Sequence, residues 1–345
     1  MYKKKKKNNR ILIFELNWMG DILFSFPFLK AIRQKNPNAY ITCVVVPQYA
    51  DLLINVPWID NIHILSDKNK LKFLKEKIDF IGLIKKEQYD VCYFLKPSRI
   101  KSILSFFAGI KERIAFSGKK AFITKVVNVP ENSVHRANRI LSLAEKIDIK
   151  QRDMVYEYFL SKKDDMAIEI ILKELGIGNF SIIALNPGGN WDSKRWKREK
   201  HIELATIILK KFSNIEIVIT GAKKDMVLAE NIVKKVDNKR CYSIAGKTTI
   251  NELAAFFKKC LVVISADSGP LHLASSVGTT TIGLFGPTSF DITGQIGKGK
   301  NFYIQKKVDC QIPCYEQECK KQYMCMQLIT VKDVFEKVEE IIRII

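Results

Sequence analysis

A chain of 345 residues with 47% hydrophobic and 10% aromatic residues is long enough for two domains with separate cores, and this composition excludes a disordered protein. No apolar run approaches the ~18 residues of a membrane span, and the run Lys3–Lys7 has no signal-type apolar segment behind it, so a cytoplasmic chain is expected. The formal charge of +21 fits either a lysine-rich solvated surface or attraction to an acidic partner, with Lys3–Lys7 suited to tethering at an anionic membrane face.

Apolar runs alternate with amphipathic stretches, the pattern of βα units and parallel sheets. Strands are predicted at Ile11–Leu16, Ile41–Val46 and Val91–Leu95, with helices over Ile22–Gln34, Phe73–Lys85 and Arg136–Lys146. Residues 148–160 break the pattern and read as a linker. The rhythm restarts with strands at Ile182–Leu185, Ile215–Ile219, Leu261–Ile264 and Thr281–Phe285, and helices near Glu199–Lys211, Asp225–Lys235 and Leu271–Val277. A last helix sets Val331, Val334, Phe335, Val338, Ile341 and Ile342 on one face. The fold class is therefore α/β with two doubly wound halves. The domains are placed at 1–155 and 156–330, followed by a segment 331–345 with the option of packing back across them.

Ligands of open α/β sheets bind beyond the carboxyl ends of the strands. Three loops there carry candidate chemistry. The first is Ser265-Ala266-Asp267-Ser268-Gly269-Pro270-Leu271-His272, where a strand gives way to a helix with proline near its first position. Helix amides and dipole there suit a phosphate, while ordinary capping by Asp267 or Ser268 is the plainer alternative. The second, Asn186 to Trp196, combines Gly188 and Gly189 with Lys194 and Arg195, which are either ligand cations at the same edge or two surface charges. In the third, Asn17-Trp18-Met19-Gly20-Asp21, Asp21 is either an N-cap or a general base. Only Gly20 is present where a dinucleotide fingerprint needs three glycines, which weakens an NAD-dependent reading.

Together these residues resemble glycosyltransferase family 9, the ADP-heptose:lipopolysaccharide heptosyltransferases of GT-B fold. The resemblance includes Met19-Gly20-Asp21, Tyr89-Asp90, Arg99, Arg113-Ile114 and His135-Arg136 in the first half. In the second half it includes Pro187-Gly188, Lys194-Arg195-Trp196, Gly221 with Asp225, Asp267 to His272, and Leu284-Phe285-Gly286-Pro287-Thr288.

The resemblance implies two Rossmann-like domains facing a cleft, and an inverting transfer of heptose from an ADP-sugar to an anionic lipopolysaccharide-core acceptor at the inner face of the cytoplasmic membrane. Asp21 would deprotonate the acceptor and Lys194 would hold the diphosphate. Gly188, Asp225, Asp267, Ser268, Gly269 and His272 would line the donor pocket, with Asp225 on the ribose. Arg99, Arg113, Arg136 and Arg139 are candidates for the acceptor. No metal or other cofactor is implied, because Lys194 and helix amides neutralise the leaving group. A UDP-hexose donor is the second reading within this fold. A nucleic-acid-binding protein is suggested by charge alone, without a matching motif, and a non-catalytic lipid-A-binding module would lack the chemistry of Asp21 and Lys194. Cys43, Cys92, Cys241 and Cys260 read as packed core thiols. Cys310, Cys314, Cys319 and Cys325 are either structural thiols or ligands for zinc or an iron–sulfur cluster, although no C-x2-C pair is present.

Overall fold

The computed structural model describes residues 9–66, 74–96, 98–116, 121–128, 135–144, 155–178, 180–314, 316 and 319–344. The chain divides into two units, Met1–Met154 and Val155–Ile345. The Lys3–Lys7 run and residues 148–154 of the expected linker lie outside the described residues.

The first unit contains β1 (Arg10–Phe14), α1 (Met19–Lys35), β2 (Tyr40–Val45), β3 (Asn61–Ile64), α2 (Leu74–Glu87), β4 (Val91–Phe94), α3 (Arg99–Phe107), β5 (Glu112–Phe116), β6 (Lys125–Val127) and α4 (Arg136–Leu141). Its strands form one parallel sheet in the order β3-β2-β1-β4-β5-β6, with Ile11 opposite both Ile41 and Val91. β1 and β2 are near-continuous apolar runs because helices cover both faces of a parallel sheet. Phe14 and Phe94 stack at 4.9 Å on adjacent strands, and Phe80 from α2 meets Phe14 edge-on at 6.2 Å. The helix expected over Arg136–Lys146 is shorter than that. α4 ends at Leu141 and tightens into a 3-10 turn, Ser142–Ala144, beyond which the residues are not described.

The second unit repeats the plan with α5 (Lys162–Glu174), β7 (Ser181–Asn186), α6 (Arg198–Lys211), β8 (Ile215–Ile219), α7 (Met226–Val236), β9 (Cys241–Ser243), α8 (Ile250–Lys259), β10 (Cys260–Ala266), α9 (Gly269–Ser276), β11 (Thr280–Phe285), α10 (Phe290–Thr293), β12 (Asn301–Gln305), α11 (Met324–Gln327) and α12 (Val331–Ile344). Its parallel sheet has the order β12-β11-β10-β7-β8-β9, the same winding as the first. Val331, Val334, Val338 and Ile341 of α12 join the core of this unit, against α6. Trp196 also belongs to that core. It is 3% exposed, and its indole N–H donates to the Ile329 carbonyl at 2.9 Å.

In each sheet the winding reverses between two adjacent strands, β1 and β4 in the first and β7 and β10 in the second. A crevice opens at such a switch point. The segments that follow β1, β4, β7 and β10 carry Asp21, Arg99, Lys194 and Asp267.

Candidate active site

In the second unit Lys194 lies in a 3-10 turn, Asp192–Lys194, after β7. Its ammonium donates to Asp267 Oδ2 at 2.9 Å and sits 5.8 Å from the centroid of the Trp191 ring. Asp267 is buried at the end of β10, where Oδ2 also accepts from Thr293 Oγ1 at 3.1 Å and Oδ1 accepts from His272 Nε2 at 3.3 Å. His272 Nδ1 meets the Tyr156 hydroxyl at 3.0 Å, and that hydroxyl accepts the Ile296 amide at 3.2 Å. In the neutral ring this leaves Nε2 as the protonated nitrogen, because a carboxylate only accepts. Burial pushes the Asp267 carboxyl up, but the His272 hydrogen bond and the Lys194 ammonium outweigh it and hold the group well below the usual carboxylate range. A cation is thereby fixed at the sheet edge by a buried, ionised anchor.

The helix after this anchor starts without a side-chain cap. Ser268 is the N-cap of α9, and its hydroxyl pairs with Ser265 Oγ at 2.9 Å instead of with a helix amide. The capping alternative for Asp267 and Ser268 therefore does not hold. Gly269 is the first helical residue, so backbone amides and the positive end of the helix dipole stand beside Lys194. A second polar layer lies beneath. Asn186 Nδ2 donates to Ser265 Oγ at 3.2 Å and Asn186 Oδ1 accepts from Thr220 Oγ1 at 3.1 Å, tying the ends of β7, β8 and β10 together.

Asp225 follows β8, buried, with Oδ2 accepting the Ala222 amide at 3.0 Å. It packs so closely under the glycine loops that a Cβ on Gly188 would lie 2.6 Å from Asp225 Oδ2, and one on Gly221 would lie 2.8 Å from its Cβ. Arg195, by contrast, closes its own loop, donating to the Gly189 carbonyl at 2.6 and 3.1 Å and pairing with Asp192 at 2.9 Å.

In the first unit Asp21 occupies the first turn of α1, whose N-cap is Trp18 with no side-chain cap bond. The Asp21 carboxylate instead receives Arg136 Nη1 at 2.7 Å, because α4 packs directly on α1. His135 caps α4 by accepting the Ala137 amide at 3.2 Å and sets its ring edge-on to Phe24 at 5.2 Å. The Tyr49 phenol lies close enough that burial, and after it the Asp21 charge, push its pKa up. Behind the loop, Glu15 is wholly buried. Desolvation raises it to about 8, against smaller opposing effects of Ser25, the Leu16 amide and Lys101. Ser25 Oγ donates to Glu15 Oε1 at 3.1 Å, and the buried Lys101 ammonium donates to the Glu15 carbonyl at 3.3 Å.

The remaining cationic candidates separate. Arg99 is exposed at the start of α3. Arg139 stacks over Phe116 at 5.0 Å. Arg113 is a brace: Nη1 donates to the Ile110 carbonyl, Nε to the Phe122 carbonyl, and the guanidinium covers the Phe106 ring at 5.5 Å.

A model of glycosyltransferase family 9 (heptosyltransferase) matches residues 79–324. The chain belongs to that family. Lipooligosaccharide heptosyltransferase 2 of Haemophilus ducreyi is 25% identical over 304 residues, covering 84% of this chain and 86% of the relative. A lipooligosaccharide heptosyltransferase 2 of Campylobacter jejuni is 25% identical over 339 residues, covering 96% and 99%. Among solved structures, a family 9 glycosyl transferase from Veillonella parvula superposes with a TM-score of 0.86 at 19% identity, over 97% of each chain. E. coli ADP-heptose LPS heptosyltransferase II superposes with 0.80 at 20% identity, over 96% and 98%. The fold of this glycosyltransferase is accordingly GT-B.

In this family 9 enzyme, Tyr156, Thr293 and Thr220 of the second unit, and Tyr49 and Glu15 of the first, lie around the candidate residues of their own unit without having drawn attention in the sequence. Each acts through a fold-dependent contact, and only Glu15, a charged residue at the end of an apolar strand run, carried a local signal. Of the four late cysteines, Cys310 is exposed and Cys319 Sγ accepts the Tyr323 amide at 3.2 Å. Among the described residues, no group of three His, Cys, Asp or Glu side chains is arranged to hold a metal ion. No helix among them is long and apolar enough to cross a membrane.

Proposed function

We propose that this family 9 transferase moves a heptose from ADP-heptose to an anionic lipopolysaccharide-core acceptor with inversion at the anomeric carbon. The observation that carries the reading is Lys194, held on the buried Asp267–His272–Tyr156 chain beside the uncapped start of α9. Negative charge grows on the departing diphosphate as the glycosidic bond breaks. An ammonium with donors to spare and a row of amides, both fixed beforehand, stabilise that charge without reorganisation. Asp225, set against the glycine loops, takes the ribose hydroxyls of the nucleotide.

Asp21 takes the acceptor proton as the new bond forms, and a single displacement from the face opposite the leaving group inverts the centre. Arg136 positions the carboxylate between turnovers and contacts the acceptor's own carboxylates or phosphates, together with Arg99 and Arg139. The bracing bonds of Arg113 give it an indirect part, holding the α3–β5 turn. The relatives named for lipooligosaccharide and lipopolysaccharide heptosyl transfer supply the sugar and the acceptor class.

Thermal-shift and turnover measurements with ADP-heptose and with UDP-hexoses test the donor. Stabilisation and turnover with ADP-heptose are expected. Turnover with a UDP-hexose, and none with ADP-heptose, would overturn the assignment.

A further inference from the structure

Resting on the reading above that the acceptor is carried on lipid, we propose that the α2–α3–β6 face of the first unit is a docking surface for an anionic phospholipid membrane. Three phenylalanines cluster at one end of this face while open to solvent: Phe106 is 42% exposed, Phe107 60% and Phe122 39%. Phe106 lies 5.5 Å from Phe107 and 4.5 Å from Phe122, so they form one aromatic patch. Scattered exposed apolar residues are ordinary, but a clustered patch marks a surface that is covered in use.

Charge identifies the cover. Lys85 and Lys86 at the end of α2, with Lys111 and Lys125 beyond α3, are exposed at that same end. Nearby acids are largely engaged. Glu87 binds Tyr89, His63 and Arg10, and Glu76 accepts the Ser66 amide at 2.7 Å, which leaves Asp79 and Glu112 exposed. Aromatic residues ringed by lysines match the boundary between acyl chains and anionic headgroups. A second copy of a chain with net charge +21 is repelled from the same patch.

The geometry of α3 connects this surface to catalysis. The helix starts at Arg99 and ends at Phe107, eight residue steps or roughly 12 Å along its axis. With the phenylalanines at the lipid, Arg99 stands one short helix away from the membrane. That is a suitable height for a sugar still attached to its lipid.

Co-sedimentation of the full chain with phosphatidylglycerol-containing vesicles tests the surface. Binding is expected to these vesicles and not to pure phosphatidylcholine. The double variant Phe107→Ser/Phe122→Ser should bind on the order of tenfold more weakly, with melting temperature and turnover of a delipidated, water-soluble acceptor unchanged. Lys111→Glu/Lys125→Glu, which leaves the apolar residues intact, should weaken binding as well. Vesicle binding unaltered by both double variants overturns the proposal. So does light scattering that shows a wild-type dimer turned monomeric by Phe107→Ser/Phe122→Ser, which makes the patch a self-interface. Turnover of the soluble acceptor reports separately on the proposed reaction, so failure there does not mimic failure of the docking surface.

Discussion

Asp21 has its carboxylate on Arg136 at 2.7 Å, while Trp18 provides the N-cap of α1. Asp21→Asn therefore removes no cap, and the melting temperature should stay close to wild type. If the carboxylate is the base, kcat should fall ~10²-fold or more with ADP-heptose affinity preserved. Activity within a few-fold of wild type would exclude it from proton transfer. Glu15 makes a different forecast. Its folded pKa is raised to about 8 from an ordinary 4.5, so the fold favours the neutral acid. Above the ordinary value the unfolded chain releases this proton while the folded one retains it, and stability declines from about pH 4.5 through about pH 8. Glu15→Gln keeps a neutral hydrogen-bonding group and removes that decline. Its melting temperature relative to wild type should rise between pH 5 and pH 9, and a constant difference would show that Glu15 is ionised in the fold. At this scale the sequence displayed Asp21, Lys194 and Asp267, whose loops announce themselves by glycine, proline and charge. It did not display Tyr156, a residue read as linker that reaches His272 only once the second unit has folded.

The elements were legible in proportion to how completely they are buried. β8 is buried at all five positions and was predicted at Ile215–Ile219, the bounds it has. β3, β6 and β12 lie on or beside sheet edges, are short and half-exposed, and show no apolar run long enough to separate from loop. α5 and α8 did carry a signal in their capping boxes, Ser161 with Asp164 and Thr249 with Glu252, but those caps are polar and a search for apolar runs passes over them. The loop after β7 offers a test at this scale. An alanine at position 188 would put its Cβ 2.6 Å from Asp225 Oδ2, so Asp225 must turn away from the Ala222 amide or the loop must lift. Gly188→Ala should cost about 1–3 kcal/mol of stability by overpacking and weaken ADP binding measured by calorimetry. Unchanged ADP affinity would separate Asp225 from the nucleotide.

The whole molecule combines two similarly wound units with a charge of +21, and that charge has opposite consequences for stability and for substrate capture. Like charges repel within the folded chain, so added salt should raise the melting temperature by relieving that repulsion. An anionic acceptor is drawn in by the same field, which reaches only about 10 Å at 0.1 M ionic strength and about 3 Å at 1 M. Between low and high salt the acceptor KM should therefore rise several-fold while kcat stays level, because the chemical step occurs among fixed, partly buried groups that salt screens little. The opposed directions make the experiment decisive. A rise in KM accompanied by a rise in melting temperature cannot be blamed on unfolding. A neutral acceptor analogue should show no such rise. If the KM of the anionic acceptor is flat across the salt series, the surplus lysines are solvated surface, and recognition rests on short-range contacts such as those open to Arg136 beside Asp21.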